Sequence, residues 1–239
     1  SLLPPGSVRS LIEQHPRSDG AAIEGVLVLR GIDGTRIIAD FYNPDGSYGM
    51  MCGNGARCVV RYACDHGAPS NVELTLVLNE AEYVAHLHDD ASVSIAFAAP
   101  KEERSFPTGT LANVDVPVYY VNVNSDHVVI DGPCDASRPI VQVLRHHPAF
   151  PRGVNVNMVH VVSPTQLTIA TFERGVEAIT GACGTGAISA VIALWRNGRC
   201  QDVVTITPPS QRPLVVSLLH TDSTLTTCIL RGDAIYDNS

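Results

Sequence analysis

The stretch from Met51 to Cys58 reads Met-Cys-Gly-Asn-Gly-Ala-Arg-Cys, and a shorter version returns as Ala182-Cys183-Gly184-Thr185-Gly186-Ala187. The shared core is Cys-Gly-x-Gly-Ala, and each copy precedes a run with helical periodicity. The two cysteines lie about 130 residues apart, the size of one ordinary domain. A chain that builds one cysteine-bearing turn twice constrains its own architecture strongly. Duplication with a shared interdomain cleft is the natural arrangement, and the question becomes what would hold Cys52 and Cys183 face to face.

The flanking segments repeat the plan. In the first half, strands at Val26–Leu29 and Arg36–Tyr42, with turns at Gly31–Gly34 and Asn43–Gly46, lead into the cysteine turn. A short helix at Val8–Gln14 and a turn over residues 16–20 come before them. From Gly55 a helix runs to a His66-Gly67 cap, followed by strands at Val72–Leu78, Glu82–His88 and Val93–Ala98. Residues Ala99–Thr110, rich in Pro, Glu, Gly and Thr, read as the linker. The second half gives strands at Asp115–Val123 and His127–Ile130, a helix at Ile140–His146, and a hairpin of Val154–Val162 and Gln166–Phe172. A helix after Cys183 ends at Asn197-Gly198, strands follow at Val203–Ile206, Leu214–Leu219 and Thr226–Leu230, and Ile235-Tyr236 closes the pattern. The expected fold is α+β: two pseudo-symmetric domains, each a mostly antiparallel sheet or barrel around a central helix, with the active site in the cleft between them. The expected boundaries are 1–110, 111–230, and a 231–239 strand that returns to the first domain.

Composition removes several classes of function. With 239 residues and 45% hydrophobic content the chain can build one large core or two modest ones. A formal net charge of −8 provides no basic field for phosphate backbones, so nucleic acid is not an expected partner. No apolar run of transmembrane length and no leader of signal-peptide type is visible, which makes a cytoplasmic protein without membrane contact the default expectation. Seven cysteines are too sparse for a disulfide scaffold and read as reduced thiols. Cys52 and Cys58 are spaced Cys-x5-Cys, a weak metal pattern without a second set, and no metal is expected. Cys64, Cys134, Cys200 and Cys228 lack flanking glycines and read as core residues.

A Gly-x-Gly segment that opens a helix leaves backbone N–H groups unpaired at the positive end of the helix dipole, a ready site for a carboxylate. The same field stabilises the thiolate of a cysteine just ahead of it, while burial opposes that. Two thiols on opposite faces of an α-carbon could invert it, one removing the α-proton while the other delivers a new one. Developing enolate charge would then fall on the carboxylate held by the helix ends. Pyridoxal phosphate, the usual electron sink for such chemistry, requires a Schiff-base lysine. Lys101 is the only lysine among the 16 Lys and Arg residues and sits in the charged run Lys101-Glu102-Glu103-Arg104, so a mechanism without cofactor is expected. Neither turn completes the Gly-x-Gly-x-x-Gly of dinucleotide binding.

These residues resemble the diaminopimelate epimerase family. The resemblance is carried by Phe41-Tyr42-Asn43-Pro44-Asp45-Gly46-Ser47 leading to Cys52-Gly53-Asn54-Gly55-Ala56-Arg57-Cys58, by Phe150-Pro151 through Asn155, and by Glu173-Arg174-Gly175 leading to the Cys183 turn. Weaker similarity includes Glu24-Gly25 and Gly232 to Asp237. It implies an isomerase that converts LL- to meso-2,6-diaminopimelate, for lysine and peptidoglycan precursors, without cofactor. Cys52 and Cys183 would be the acid–base pair. Gly53, Asn54, Gly184 and Thr185 would give amides to the reacting carboxylate, while Asn43, Asn155 and Arg174 would hold the distal carboxylate and Glu173 the distal ammonium. His127 and Glu173 are the candidates for tuning a cysteine. The implied partner is a small amino acid, with a homodimer as the assembly option.

The chain departs from the family pattern in four places. The family's opening His-Gly-x-Gly-Asn-Asp-Phe segment is not found. Its Gly-Asn-Pro-His appears as Asn124-Ser125-Asp126-His127, which puts Ser125 where a substrate-contacting Asn is usual. Its Thr-x-x-Gly after the first helix becomes Leu76 to Glu80 without glycine, and the Arg174-to-Cys183 spacing is one residue longer, leaving Glu177 and Thr180 without a fixed alignment. The alternatives are an epimerase or racemase of another amino acid such as histidine, an inactive or binding relative, and a redox role in which the two thiols form a disulfide.

Overall fold

The computed structural model describes residues 2–16, 23–49 and 51–235. The chain divides into two compact units, Ser1–Ile95 with Asp233–Ser239, and Ala96–Gly232. The architecture is α+β, with fourteen strands and four helices among the described residues.

The first unit opens with helix α1 (Pro5–Gln14), started by a proline in its first turn, where no amide partner is needed. Strands β1 (Val26–Asp33) and β2 (Arg36–Tyr42) form an antiparallel hairpin. The turn expected over Gly31–Gly34 is shorter: a register shift between Leu29 and Gly31 lets β1 run on to Asp33, and Gly34 turns the chain at φ +56°. Helix α2 (Gly53–Asp65) begins two residues earlier than its apolar periodicity indicates, because Cys52 has the extended backbone of an N-cap. It then carries the chain across to β3 (Leu74–Leu78), which pairs parallel with β2. The helix is needed there, since parallel neighbours require a long crossover that a two-residue turn cannot supply. Strands β4 (Ala81–Leu87) and β5 (Val93–Ala98) complete an antiparallel meander, and the division between the units falls within β5.

In the second unit the run expected to be a linker contains strand β6 (Glu102–Phe106), paired antiparallel with β7 (Val118–Asn122). Its charges belong to an exposed edge, where they give little apolar signal to read from sequence. After β8 (Asp126–Asp131), helix α3 (Pro139–Arg145) crosses over to β9 (Asn155–Ser163), which pairs parallel with β8. The hairpin of β9 with β10 (Gln166–Glu173) forms around Ser163 and Pro164. A two-residue strand β11 (Ala178–Ile179), too short to leave a pattern, pairs with the end of β10. Helix α4 (Gly184–Arg196) then leads to β12 (Val203–Thr207), parallel to β10, and β13 (Leu214–Thr221) and β14 (Thr224–Gly232) finish in antiparallel register.

The repeat legible in the sequence is therefore a repeat of topology. Each unit contains an antiparallel hairpin, a cysteine turn, a 13-residue crossover helix, a strand parallel to the second hairpin strand, and an antiparallel pair. Helix α4 is buried at every position from Thr185 to Leu194, the mark of a helix enclosed by sheet, and packs against β7, β8, β9, β13 and β14. Each of its buried Ile188, Val191, Ile192 and Leu194 side chains contributes roughly 1.5–3 kcal/mol of apolar transfer. A further cluster including Tyr120, Leu144, Phe150 and Met158 joins α3 to the sheet. Helix α2 is enclosed on one side only, through Ala56, Val59, Val60 and Ala63, and leaves Tyr62 exposed. At the end of the chain Ile235 is exposed and belongs to no strand, and Tyr236 lies outside the described residues, as do residues 17–20 and Asp237.

The glycine missing after β3 is replaced by two left-handed residues, Asn79 at φ +50° and Glu80 at φ +68°. Asn79 uses its side chain, accepting from Phe41 N at 2.6 Å and donating to Phe41 O and Gly49 O, so it holds the approach to the Cys52 turn. Glu80 has no such compensation in its backbone conformation. Glu80→Gly is expected to raise stability by about 1 kcal/mol in urea unfolding; an unchanged or lower midpoint would refute this reading of the turn.

Candidate active site

In the first unit Cys52 sits at the N-terminus of α2 with its sulfur accepting the Gly55 amide at 3.3 Å. The thiol acts as the helix's N-cap, so the orphan amide and the sulfur satisfy each other. Burial nevertheless raises the Cys52 pKa above its ordinary value. The Gly55 and Asn54 amides and Arg57 pull it down, and Glu24 adds to the rise. Gly53 is buried, and its carbonyl accepts from Arg57 Nη1 at 3.2 Å. Asn54 is exposed, donating to Glu24 at 3.3 Å and accepting from Arg57 Nη2 at 3.3 Å. Arg57 Nε also reaches the carbonyl of Asp233, tying the segment after β14 to this helix. Asn43 lies in the turn after β2, bonded through its amide and side chain to Ser47.

In the second unit Cys183 occupies the same place ahead of α4, with extended N-cap backbone. Burial again raises its thiol, well beyond the ordinary cysteine range. The negative charge and hydrogen bond of Glu173 add to the rise, and the Gly186 amide and Thr185 hydroxyl oppose it. At both cysteines burial is the largest influence on the thiol, ahead of the amides at the helix end. Glu173 ends β10 against Cys183 and accepts from the Thr180 hydroxyl at 2.5 Å. Thr185 Oγ1 stands 3.7 Å from the Cys183 sulfur. His127 is fully buried, and desolvation holds its pKa down to about 3, so the ring is neutral.

Asn155 and Arg174 stand together, the Asn155 side chain accepting the Arg174 amide at 2.9 Å and donating to the Asp126 carbonyl at 2.9 Å. The Arg174 guanidinium is held by the carbonyls of Arg152 and Gly153 at 2.7 and 3.1 Å. Sequence reasoning missed two members of this group. Asp126 is buried and takes a two-point contact from Arg152 at 2.7 and 3.0 Å, with Arg174 at 3.6 Å. The Arg152 side chain is 66% exposed. The available signal was an acid next to His127 in an otherwise apolar strand, matched by an arginine inside the Phe150-to-Asn155 motif. Glu177, at φ +57°, pairs with the buried Arg145 and accepts the Gly175 amide at 3.0 Å, which pins the loop under Arg174.

The family model described as "Diaminopimelate epimerase" matches residues 7–100 and 119–227. The chain belongs to the diaminopimelate epimerase family. A diaminopimelate epimerase of Geobacillus kaustophilus is 31% identical over 218 residues, 82% of this chain and 73% of that protein. One from Hydrogenobaculum sp. is 33% identical over 204 residues, covering 80% and 70%. Among solved structures, a phenazine biosynthesis protein of the PhzF family from Bacillus anthracis aligns with TM-score 0.72 at 11% identity, covering 98% of this chain and 87% of that one. A hydroxyproline epimerase from Agrobacterium vitis aligns with TM-score 0.62 at 17% identity, covering 96% and 77%. These likenesses place the diaminopimelate epimerase fold of this chain with those two-domain proteins, and membership of the family makes it an enzyme of the isomerase class. Among the described residues no helix is long and apolar enough to cross a membrane, and no group of three His, Cys, Asp or Glu side chains is disposed to hold a metal. No disulfide joins the seven cysteines, and Lys101 is exposed.

The Asp126 contacts make a pH prediction. Hydrogen bonds from Arg152, with help from Tyr120 and Arg174, bring its pKa down to about 2 from 3.8. A depressed carboxylate contributes stability above its unfolded pKa and loses it as pH falls through the folded one. Asp126→Asn should therefore remove roughly 2 kcal/mol at pH 6 and almost nothing at pH 2. Chemical denaturation across that range checks it; a pH-independent difference would contradict the assignment.

Proposed function

We propose that this protein epimerises LL-2,6-diaminopimelate to the meso form by two-base proton exchange at one α-carbon, with Cys52 and Cys183 as the acid and base. The observation that carries this reading is the duplication of a thiol at the N-terminus of a crossover helix, in the same topological position of both units. A single cysteine there would be ordinary; the second, with its own helix amides, supplies the opposite face that inversion requires.

Burial raises both thiols above the ordinary cysteine value, so one must be deprotonated as substrate is engaged. At Cys183 the S–H faces the Glu173 carboxylate, which can accept that proton while the sulfur takes the α-hydrogen. Cys52 then delivers a proton from the other face. In the opposite direction the roles exchange. The amides of Gly53, Asn54, Gly184 and Thr185 at the two helix ends receive the carboxylate on which enolate charge develops. Asn43, Asn155 and Arg174 take the distal carboxylate, for which a guanidinium fork is suited. Glu173 thus stands between two tasks, the distal ammonium and the Cys183 thiol. The chemistry uses no cofactor, and its product serves lysine and peptidoglycan synthesis.

Ser125 favours a second reading. Its hydroxyl is turned toward His127 and Thr185, at 2.7 and 3.3 Å, and the adjoining Asp126 brings a carboxylate to the distal group. A different amino acid, such as histidine, would offer a side-chain N–H to that carboxylate in place of a second ammonium and carboxylate. A panel of LL-diaminopimelate, histidine, proline and glutamate, assayed with wild type and with Cys52→Ser and Cys183→Ser, separates these. Turnover of diaminopimelate alone is expected, with either substitution lowering kcat by roughly 10²–10⁴-fold. Turnover of another panel member in preference would replace the substrate, and full activity in either variant would remove the mechanism.

A further inference from the structure

Behind Cys183 lies a chain of buried polar groups that substrate binding does not use. Asn157 is wholly buried on β9, facing the same side as Asn155, and Thr171 beside it on β10 is nearly so. The orientation of the Asn157 carboxamide is fixed by its neighbours. Its Nδ2 lies 2.8 Å from the Val128 carbonyl, which can only accept, so the nitrogen must be on that side. Its Oδ1 then accepts from the Thr171 hydroxyl at 2.9 Å. The second Nδ2 proton faces His127 Nδ1 at 3.2 Å. Nδ1 therefore accepts, and the proton of the neutral ring lies on Nε2.

On its other side His127 Nε2 is 2.7 Å from Ser125 Oγ and 3.0 Å from Thr185 Oγ1, and these two hydroxyls are 3.3 Å apart. With Nε2 donating, their own protons are released to point onward. Thr185 Oγ1 is 3.7 Å from the Cys183 sulfur. One donor of each group from Thr171 through Asn157, His127 and Ser125 to Thr185 then runs in one direction, toward that sulfur. Helix α4 is seated to make this possible. A Cβ at Gly186 would lie 2.5 Å from Asn157 Oδ1 and 2.9 Å from Thr171 Oγ1, so only glycine lets the start of the helix approach the pair.

We infer that Asn157 is a positioning residue for Cys183: by fixing His127 as the Nε2–H tautomer it directs the Thr185 hydroxyl proton onto the sulfur and favours the thiolate. Ser125 belongs to the same chain, its hydroxyl spent on His127 and Thr185. The charged groups around this chain are Glu173 of β10 at the sulfur, and Asp126 of β8 with Arg174 at His127. The negative charge of Glu173 disfavours the thiolate and the Thr185 hydroxyl favours it, so the two act on Cys183 in opposite senses. The inference rests on the acid–base reading of Cys183, but its test reads the thiol and the imidazole without turnover.

Two measurements on the full chain decide it. Histidine-labelled protein, with His127→Gln to assign the signal, gives the tautomer by long-range ¹H–¹⁵N correlation. Peptide-resolved alkylation by iodoacetamide gives the pH profile of Cys183. The ring is expected as Nε2–H with Nδ1 bare, becoming a tautomer mixture in Asn157→Leu. Should that variant not fold, Thr171→Val, which frees the carboxamide with little change of volume, serves in its place. Thr185→Val, which keeps the backbone amide, should lower the thiolate fraction roughly tenfold and move the Cys183 profile about one pH unit higher, and Thr185→Ser should restore it. A proton on Nδ1 in the wild type, a tautomer indifferent to both Asn157→Leu and Thr171→Val, or a Cys183 profile unmoved by Thr185→Val would overturn the inference. If Cys183→Ser instead retained epimerisation while these signals behaved as stated, the acid–base reading would fall and the hydrogen-bond chain would stand.

Discussion

A thiol placed at the N-terminus of a helix inside a protein is subject to two opposed forces. The unpaired amides and helix dipole favour the anion, and removal from water favours the neutral form. In this chain burial prevails at both Cys52 and Cys183, and the local partners then differentiate the two sites. At Cys52 backbone amides and Arg57 moderate the rise; at Cys183 the Glu173 carboxylate adds to it while the Gly186 amide and the Thr185 hydroxyl oppose it. The proposed two-base exchange needs one thiol ionised and the other protonated, so a thiol that keeps its proton at rest is suited to the acid's part.

The topology follows from the need to present such helix ends. A helix that joins two parallel neighbours starts at the carboxyl end of one strand, which places the turn ahead of it at a sheet end. Both units use that connection, from β2 to β3 through α2 and from β10 to β12 through α4. The second unit adds another parallel crossover, from β8 through α3 to β9, and this brings His127, Asn155 and Asn157 into register on adjoining strands. Paired backbones hold those side chains to a fixed geometry, which a loop would not do. Asp126, Arg152 and Arg174 form a compact charged group at the end of the same strands.

Much of this was legible in the sequence because the cysteine turns and the helices after them combine glycine, apolar periodicity and caps. The turn over Asn43–Gly46 and the hairpin around Ser163–Pro164 were equally visible. What sequence reasoning missed has physical reasons. Strand β6 is an exposed edge made of charged residues, so it read as a linker; β11 is too short for any pattern. The bulge after Leu29 extends β1 through a glycine that otherwise signals a turn. Side-chain partnerships between distant segments, such as Asp126 with Arg152 or Asn157 with His127, depend on strand register, which one sequence does not specify. For the Asn157 partnership the available hint was the alternation of Asn155 and Asn157 on an apolar strand, since two amides on one buried face must find partners.

The most direct test of the account is the fate of solvent hydrogen during epimerisation. In D₂O, a two-base exchange started from LL-diaminopimelate should place deuterium at the inverted α-carbon of the first meso product while the remaining LL pool keeps its original hydrogen, since each cysteine serves one face. Equal early deuterium in the substrate and product pools would mean a single base reaching both faces, and would contradict the central claim that Cys52 and Cys183 divide the proton transfer between them.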